Sequence, residues 1–147
     1  MIIKKILRAF TGYKNDLVSL TVVGVGPGDP SLLTIAAVNA IKKAKVIVFP
    51  VSDENKKSFA AEIVNKYTKF KKNIPIIFPM AKKDLDPDEI WSIAVEKIVK
   101  FIQNGESVVL LCLGDTSIFA SSSNILRIIK NNHPEIITNT IPGISSL

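Results

Sequence analysis

The chain has few of the residues that build disulfide scaffolds and metal sites. Among its 147 residues there is one cysteine, Cys112, and one histidine, His133. A single cysteine excludes a disulfide framework within the chain and is typical of a reducing compartment, and a lone histidine offers no metal-ligand spacing. We therefore predict no metal centre. Because Cys112 lies in an apolar run, we expect a small buried hydrophobe there rather than a nucleophile.

Long hydrophobic runs are also missing, although 47% of the residues are hydrophobic. The longest apolar stretches lie around residues 20–26 and 108–113, far short of the roughly 20 residues that a membrane-spanning helix needs. No apolar core of a secretory signal follows the charged start. These absences predict a cytoplasmic protein without stable membrane insertion. The 22% of charged residues, together with the apolar fraction, exclude a disordered chain.

Arginine is scarce, which bears on the formal net charge of +6. Of the 19 basic residues only Arg8 and Arg127 are arginines, although arginine is the better fork for phosphates and bases. The positive charge lies mainly in residues 1–17 and in residues 56–83, where eight lysines face a single acid, Glu62. Aromatic residues are not interleaved with these lysines in a nucleic-acid-binding pattern. We predict no nucleic-acid partner and interpret the lysines as a solvated face, or as a surface that steers an acidic small molecule.

The first 17 residues form a basic amphipathic extension. Its apolar side chains recur at helical spacing among three basic ones, and they are Ile2, Ile3, Ile6, Leu7 and Phe10. This pattern is compatible with packing on the domain or on a partner, with fraying, and with contact at a membrane surface.

From Ser19 onwards, short β-branched runs alternate with amphipathic helical segments. The predicted strands cover residues 19–25, 45–50, 74–78, 107–113 and 136–141. The predicted helices cover residues 31–43, 58–67, 87–103 and 117–130. Pro75 places the third strand near a sheet edge. The alternation predicts an α/β fold for residues 18–147, with a five-stranded, mostly parallel sheet flanked by helices.

Three loops follow predicted strands at the edge where parallel α/β sheets bind ligands. The first is Gly24–Pro30 (GVGPGDP), whose Asp29 we predict as the N-cap of the next helix. A carboxylate at that position repels phosphate, so the loop favours a ligand without phosphates. The second loop covers residues 113–119 (LGDTSIF) and the third covers residues 141–146 (IPGISS). Helix capping alone would also explain each of the three loops.

The ordered set of three motifs resembles the tetrapyrrole methylases, the S-adenosylmethionine-dependent methyltransferases of corrin and siroheme synthesis. Strands lead into GVGPGDP, GDTSIF and IPGISS in that order. Between them, the run from Val22 to Val51, the segment from Lys57 to Ala60 and the later IPIIFPM are similar to one branch, which methylates C-20 of precorrin-2 or cobalt-factor II. The resemblance extends from about residue 20 to residue 147.

The resemblance implies a site for the methyl donor S-adenosylmethionine and a trough for the tetrapyrrole substrate. The positions that match the donor-binding motifs are Pro27, Gly114, Asp115, Ile118, Ser145 and Ser146. The positions that match the trough-lining loop are Gly26, Gly28 and Asp29. No catalytic base is implied, since the donor carries the reactive group and the protein supplies orientation. The resemblance also implies a homodimer.

The chain departs from the family pattern in three respects. Thr116 stands where the family usually has proline, residues 1–17 precede the usual start, and the family's second domain is absent from the 147 residues. We therefore expect this chain alone to bind S-adenosylmethionine weakly and to transfer little or no methyl, because half a cleft cannot hold both reactants. The alternatives are a non-catalytic truncated domain that binds a ligand or partner, and another branch of the tetrapyrrole methylases.

Overall fold

The computed structural model describes residues 19–53, 55, 57–78, 84–116 and 120–145. The predicted extension over residues 1–17 lies outside this part of the chain, and so do the predicted donor-binding residues Ile118 and Ser146.

Five strands form a single sheet in the described part of the chain. They are β1 (Ser19–Gly24), β2 (Val46–Val51), β3 (Lys72–Ile77), β4 (Val108–Cys112) and β5 (Ile137–Ile141). The spatial order is β3-β2-β4-β1-β5, and every pairing between these strands is parallel. The predicted five-stranded parallel sheet is confirmed. The strand that contains Pro75 lies at an edge, as predicted, because proline cannot donate to a second neighbour.

The register gives the sheet two distinct ends. Val46 is aligned with Lys72 on one side and with Val108 on the other, and Val108 is aligned with Leu20. The strands therefore begin at one end of the sheet, here called the amino edge, and finish at the opposite end, the carboxyl edge.

Helices cover both faces of the sheet. They are α1 (Ile35–Lys43), α2 (Phe59–Ile63), α3 (Asn65–Thr68), α4 (Pro87–Gln103) and α5 (Ala120–Asn132). The first two of these pack with Val23, Val109 and Leu111 in one core, whereas α4 and α5 pack with Leu20 and Leu110 in the other. Successive residues of β4 point to opposite faces and all are buried, as in a parallel sheet that is covered on both sides.

The first helix begins later than predicted. The prediction was one helix over residues 31–43, but a 3₁₀ turn, Pro30–Leu32, comes first. Asp29 caps this turn rather than α1, because its carboxylate accepts a hydrogen bond from the Ser31 N–H at 2.8 Å. Thr34, in an extended conformation, caps α1 instead. The predicted N-cap role of Asp29 is thus correct, but for a different element.

The other helices follow the predictions with local changes. The helix predicted over residues 58–67 is divided into α2 and α3, because Val64 leaves the helical conformation at ψ 6°. The bounds of α4 agree with the prediction, and Gly105 ends it at φ 82°. None of the described helices combines the length and apolar composition that crossing a bilayer requires.

Candidate functional site

The strand order defines where a ligand would bind. From β1 the chain crosses β4 to reach β2, and from β4 it crosses β1 to reach β5. The connections that follow the neighbouring strands β1 and β4 therefore leave in opposite directions along the sheet. In open α/β sheets, ligands bind outside the carboxyl ends of the strands at such a switch point. The candidate site lies just beyond Gly24 and Cys112, the last residues of β1 and β4.

The loops that follow β1 and β4 are joined by a reciprocal pair of backbone hydrogen bonds. The Gly26 N–H donates to the Gly114 carbonyl at 3.1 Å, and the Gly114 N–H donates to the Gly26 carbonyl at 2.9 Å. Both residues have a left-handed backbone, with φ of 79° and 72°, which glycine adopts without a steric penalty. The first two predicted loops therefore form one unit.

The loop that follows β5 is fastened to the same unit. The Gly143 N–H donates to Oδ1 of Asp115 at 3.1 Å. A Cβ atom on Gly24 would lie 2.6 Å from the Gly143 nitrogen and 2.8 Å from the Gly114 carbonyl oxygen, closer than packed atoms approach. The three loops thus meet through backbone atoms. Sequence reasoning did not single out Gly24 or Gly143, although a glycine at or just beyond the end of an apolar strand was the available signal.

The place where the three loops meet, near Gly24, Gly114 and Gly143, is here called the junction, and its loops are acidic. The three loops carry Asp29 and Asp115, and their described parts, residues 24–30, 113–116 and 141–145, contain no lysine or arginine. Hydrogen bonds from the backbone and the side chain of Ser31 lower the pKa of Asp29 below its usual value, so it is ionised at neutral pH. Such an edge attracts a cationic ligand and repels phosphate groups.

A depression with a cavity volume of about 360 Å³ lies beside the first loop. Its lining is largely apolar and consists of Pro27, Gly28, Pro30, Phe59, Glu62, Ile63 and Leu113. Phe59 is 76% exposed, so a large aromatic face is available to a ligand or to a covering element. The volume is within the range of small-molecule sites.

The structure brings some of the predicted donor-binding residues together. Gly114 and Asp115 lie in the junction of the three loops, and Pro27 lines the depression. Ser145 is half-buried, two residues beyond Gly143. Ile118, like Ser146, lies outside the described residues. That these residues bind the donor stays a prediction.

The predicted trough-lining residues are all at this edge. Gly26 is in the backbone bridge, Gly28 lines the depression, and Asp29 is exposed at the start of the 3₁₀ turn. Their role toward a substrate likewise stays a prediction.

Cys112, at the end of β4, is only 6% exposed. Burial raises the pKa of its thiol to about 11, with a smaller rise from the charge of Asp115 and an opposing effect from a hydrogen bond with Ser122. The thiol is therefore protonated at neutral pH. The prediction of a buried hydrophobe is confirmed.

The lysine-rich segment does not face the junction as a whole. Lys71 and Lys72 lie at the start of β3, on the amino edge, at the opposite end of the sheet from the junction. Of the described lysines in residues 56–83, Lys57 alone follows the carboxyl end of a strand. The described lysines of this segment are therefore divided between the two edges, and the interpretation that the segment steers an acidic ligand stays a prediction.

Fold and site together define an α/β protein with a candidate ligand site at a switch point of a parallel sheet. Residues 19–147 match the family of the tetrapyrrole (corrin/porphyrin) methylases. The chain therefore belongs to the tetrapyrrole methylase family, as its three motifs predicted. Members of this family use S-adenosylmethionine as methyl donor.

Relatives in this family differ in the substrate that their names give. The chain is 36% identical over 125 residues to the probable cobalt-precorrin-2 C(20)-methyltransferase of Methanocaldococcus jannaschii, an alignment that covers 85% of this chain and 52% of that protein. The cobalt-precorrin-4 C(11)-methyltransferase of the same organism is 34% identical, with coverages of 86% and 42%. Its uroporphyrinogen-III C-methyltransferase is 36% identical, with coverages of 84% and 46%. The chain thus spans about half the length of the relatives it matches.

Solved structures share the fold. The crystal structure of a cobalt precorrin-4 methyltransferase superposes with a TM-score of 0.67 over 91% of this chain and 49% of that chain, at 17% identity. The uroporphyrin-III-C-methyltransferase of Thermus thermophilus superposes with a TM-score of 0.63 over 87% of this chain and 48% of that chain, at 18% identity.

Proposed function

We propose that this chain forms the donor-binding half of a C-methyltransferase that methylates C-20 of precorrin-2 or cobalt-factor II. The observation that carries the proposal is the junction at the carboxyl edge, where Gly24, Gly114 and Gly143 meet and Asp115 is fixed by a backbone amide. A family fold with a built junction at its switch point supports a ligand site there.

The chemistry of the junction fits the donor of this family. S-adenosylmethionine carries positive charge on its sulfonium and its ammonium group and has no phosphates, and when bound it supplies an electrophilic methyl group. The three loops carry two carboxylates, Asp29 and Asp115, and their described residues include no side-chain cation. Pro27, Gly114, Asp115 and Ser145 are the described residues that would hold the donor.

The role of this chain in catalysis is to orient the reactants. The Gly143 amide holds the Asp115 carboxylate, and the bridge between Gly26 and Gly114 holds the two loops at a fixed spacing. A rigid backbone site lowers the barrier by positioning the reactants rather than by acid–base chemistry. Cys112, with its raised pKa and deep burial, is not available as a base at neutral pH.

The assignment to C-20 rests on two supports. One is the 36% identity to the probable cobalt-precorrin-2 C(20)-methyltransferase. The other is the similarity of residues 22–51 and of the IPIIFPM segment to that branch. Because relatives named for other substrates are 34% and 36% identical, the substrate is the part of the proposal that most needs an assay.

The assay compares four substrates: precorrin-2, cobalt-factor II, cobalt-precorrin-4 and uroporphyrinogen III. Each is incubated with isotopically methyl-labelled S-adenosylmethionine and either the 147-residue chain or the longest reading frame that contains it. We expect label in precorrin-2 or cobalt-factor II only, with little turnover by the 147-residue chain. Label in either of the other two substrates would instead assign the protein to another branch.

Variants link the activity to the junction. In the longest reading frame that contains the chain, Asp115→Ala removes the acceptor of the Gly143 amide and should abolish transfer. Glu135→Ala, which removes an exposed carboxylate on the segment that leads into β5, is the matched control and should leave transfer unchanged. Equal activity of both variants would contradict a donor site at the junction.

A further inference from the structure

The amino edge carries a basic surface that the proposed methyltransferase site does not use. Lysines from the end of α1, from the turn before β2, from α3 and from the segment that leads into β3 lie there together with an exposed phenylalanine. This surface, here called the lysine face, consists of Lys42, Lys43, Lys45, Lys66, Lys69, Phe70, Lys71 and Lys72. Most of these residues, with Glu106, line a shallow depression of about 310 Å³.

Only part of this charge is used within the domain. Nζ of Lys71 donates to the carbonyls of Lys42 and Ala44, at 2.8 and 2.6 Å, and so satisfies the end of α1. Lys72 pairs with Glu106 at 2.6 Å. Burial and the neighbouring charge of Lys45 lower the pKa of Lys71. The mutual repulsion of the lysines is therefore not fully neutralised by the described residues around them.

The lysine face also contains an exposed aromatic residue, Phe70. It is fully exposed, at 103% of its reference area, between Lys69 and Lys71. A solvated face needs no aromatic ring there, and the ring does not contribute to either core. Lysines beside a protruding aromatic ring are complementary to a partner whose surface is anionic and whose interior is apolar. A membrane that contains anionic lipids has such an interface.

The sequence before Ser19 supports the same partner. Ser19 begins β1 at the amino edge, so residues 1–17 join the described domain at the end that carries the lysine face. Their sequence is basic, with apolar residues at helical spacing. Because two positively charged segments repel each other, electrostatics disfavours the extension as a cover for the lysine face. An anionic partner would be attracted to both segments.

We propose that the amino edge is a docking face for an anionic membrane surface, with Phe70 inserted at the level of the lipid headgroups and the lysines against their phosphates. Docking in this orientation leaves the junction of the carboxyl edge turned toward the aqueous side. A nucleic acid is disfavoured because the described lysine face has no arginine and Phe70 is its one fully exposed ring. The other rings beside its lysines, Tyr67 and Phe101, are partly buried.

The test is co-sedimentation of the 147-residue chain with vesicles of phosphatidylcholine alone or mixed with phosphatidylglycerol. We expect binding to the mixed vesicles only, weakened by salt. The triple variant Lys45→Gln, Lys66→Gln, Lys69→Gln should lower the partition coefficient about 100-fold, from about five-fold per lysine. Phe70→Ala should lower it about ten-fold, because the inserted ring is lost.

Matched variants exclude general effects of charge and of exposed aromatic rings. Lys57→Gln, Lys97→Gln and Arg127→Gln remove three exposed charges outside the lysine face, and Phe59→Ala removes an exposed ring from the carboxyl edge. Both should bind as the parent chain does. The proposal is overturned if these variants lose as much binding as the first set, or if the first set binds normally. It is also overturned if the chain binds single-stranded RNA and not the mixed vesicles.

Discussion

The backbone amide of Gly143 donates a hydrogen bond to Oδ1 of Asp115 over 3.1 Å, although the two residues are 28 positions apart in the chain. This bond connects the loop after β5 to the loop after β4, and the latter is bridged in turn to the loop after β1. The candidate site is therefore made chiefly of backbone contacts between three strand ends. Substitutions that add side-chain volume at those contacts should therefore lower the free energy of unfolding more than substitutions that remove side-chain volume from neighbouring residues.

Gly143→Ala should destabilise the fold. A Cβ atom there would lie 2.7 Å from the carbonyl carbon of Gly24, and Gly143 is not among the glycines with positive φ, so the penalty is one of overlap. We expect a loss of about 1–3 kcal/mol in the free energy of unfolding, measured by urea denaturation. Ile144→Ala, a truncation of the half-exposed next residue, should cost less than about 1 kcal/mol. A Gly143→Ala variant as stable as the parent would show that the loops do not meet as described.

Cys112 should make the fold less stable at alkaline pH. Its pKa is raised from 9.0 to about 11, so the folded state favours the protonated thiol. The stabilising contribution is fully present below pH 9 and is lost as the pH rises through 9 to 11. Urea denaturation at about pH 7.5 and about pH 10.5, below the range and near its upper end, should show a smaller alkaline loss of unfolding free energy in Cys112→Ala than in the parent. Rapid alkylation of the native thiol at neutral pH would contradict the assignment.

Lys71→Met should destabilise the end of α1. The substitution keeps most of the aliphatic stem but removes the donor to the carbonyls of Lys42 and Ala44. We expect a loss of about 1–2 kcal/mol in the free energy of unfolding. Lys69→Met, which changes an exposed lysine of the same turn, should change it by less than about 0.5 kcal/mol. Equal effects of the two variants would argue that the Lys71 bonds contribute nothing.

Local sequence signals gave the order and type of the elements of this fold, although not every helix boundary. Short apolar runs that end at glycine or at a polar residue gave the five strands, and the spacing of apolar residues gave α4 with its observed bounds. The convergence of the three loops also followed, because the carboxyl ends of parallel strands meet at one edge. The capping potential of Thr34 was overlooked because Asp29 followed by Pro30 offered an earlier start signal.

Features that depend on tertiary structure could not be predicted. The order of the strands decides which lysines become neighbours at an edge. The pairing of β2 with β3 aligns Val46 with Lys72 and so brings the lysines before both strands together. No local pattern in the sequence reports that pairing. The close approach of Gly24 and Gly143 likewise appears only when β5 is placed beside β1.

Binding of the methyl donor at the carboxyl edge is tested most directly by ¹H–¹⁵N correlation spectra of the labelled chain during titration with S-adenosylmethionine. We expect saturable shifts at the amides of Gly26, Gly114 and Gly143, and none at Lys72 or Glu106 on the amino edge. Asp115→Asn, which keeps an oxygen for the Gly143 amide but removes the charge, should weaken the affinity about ten-fold. Saturable shifts confined to the amino edge, or none at the three glycines, would contradict a donor site at this junction.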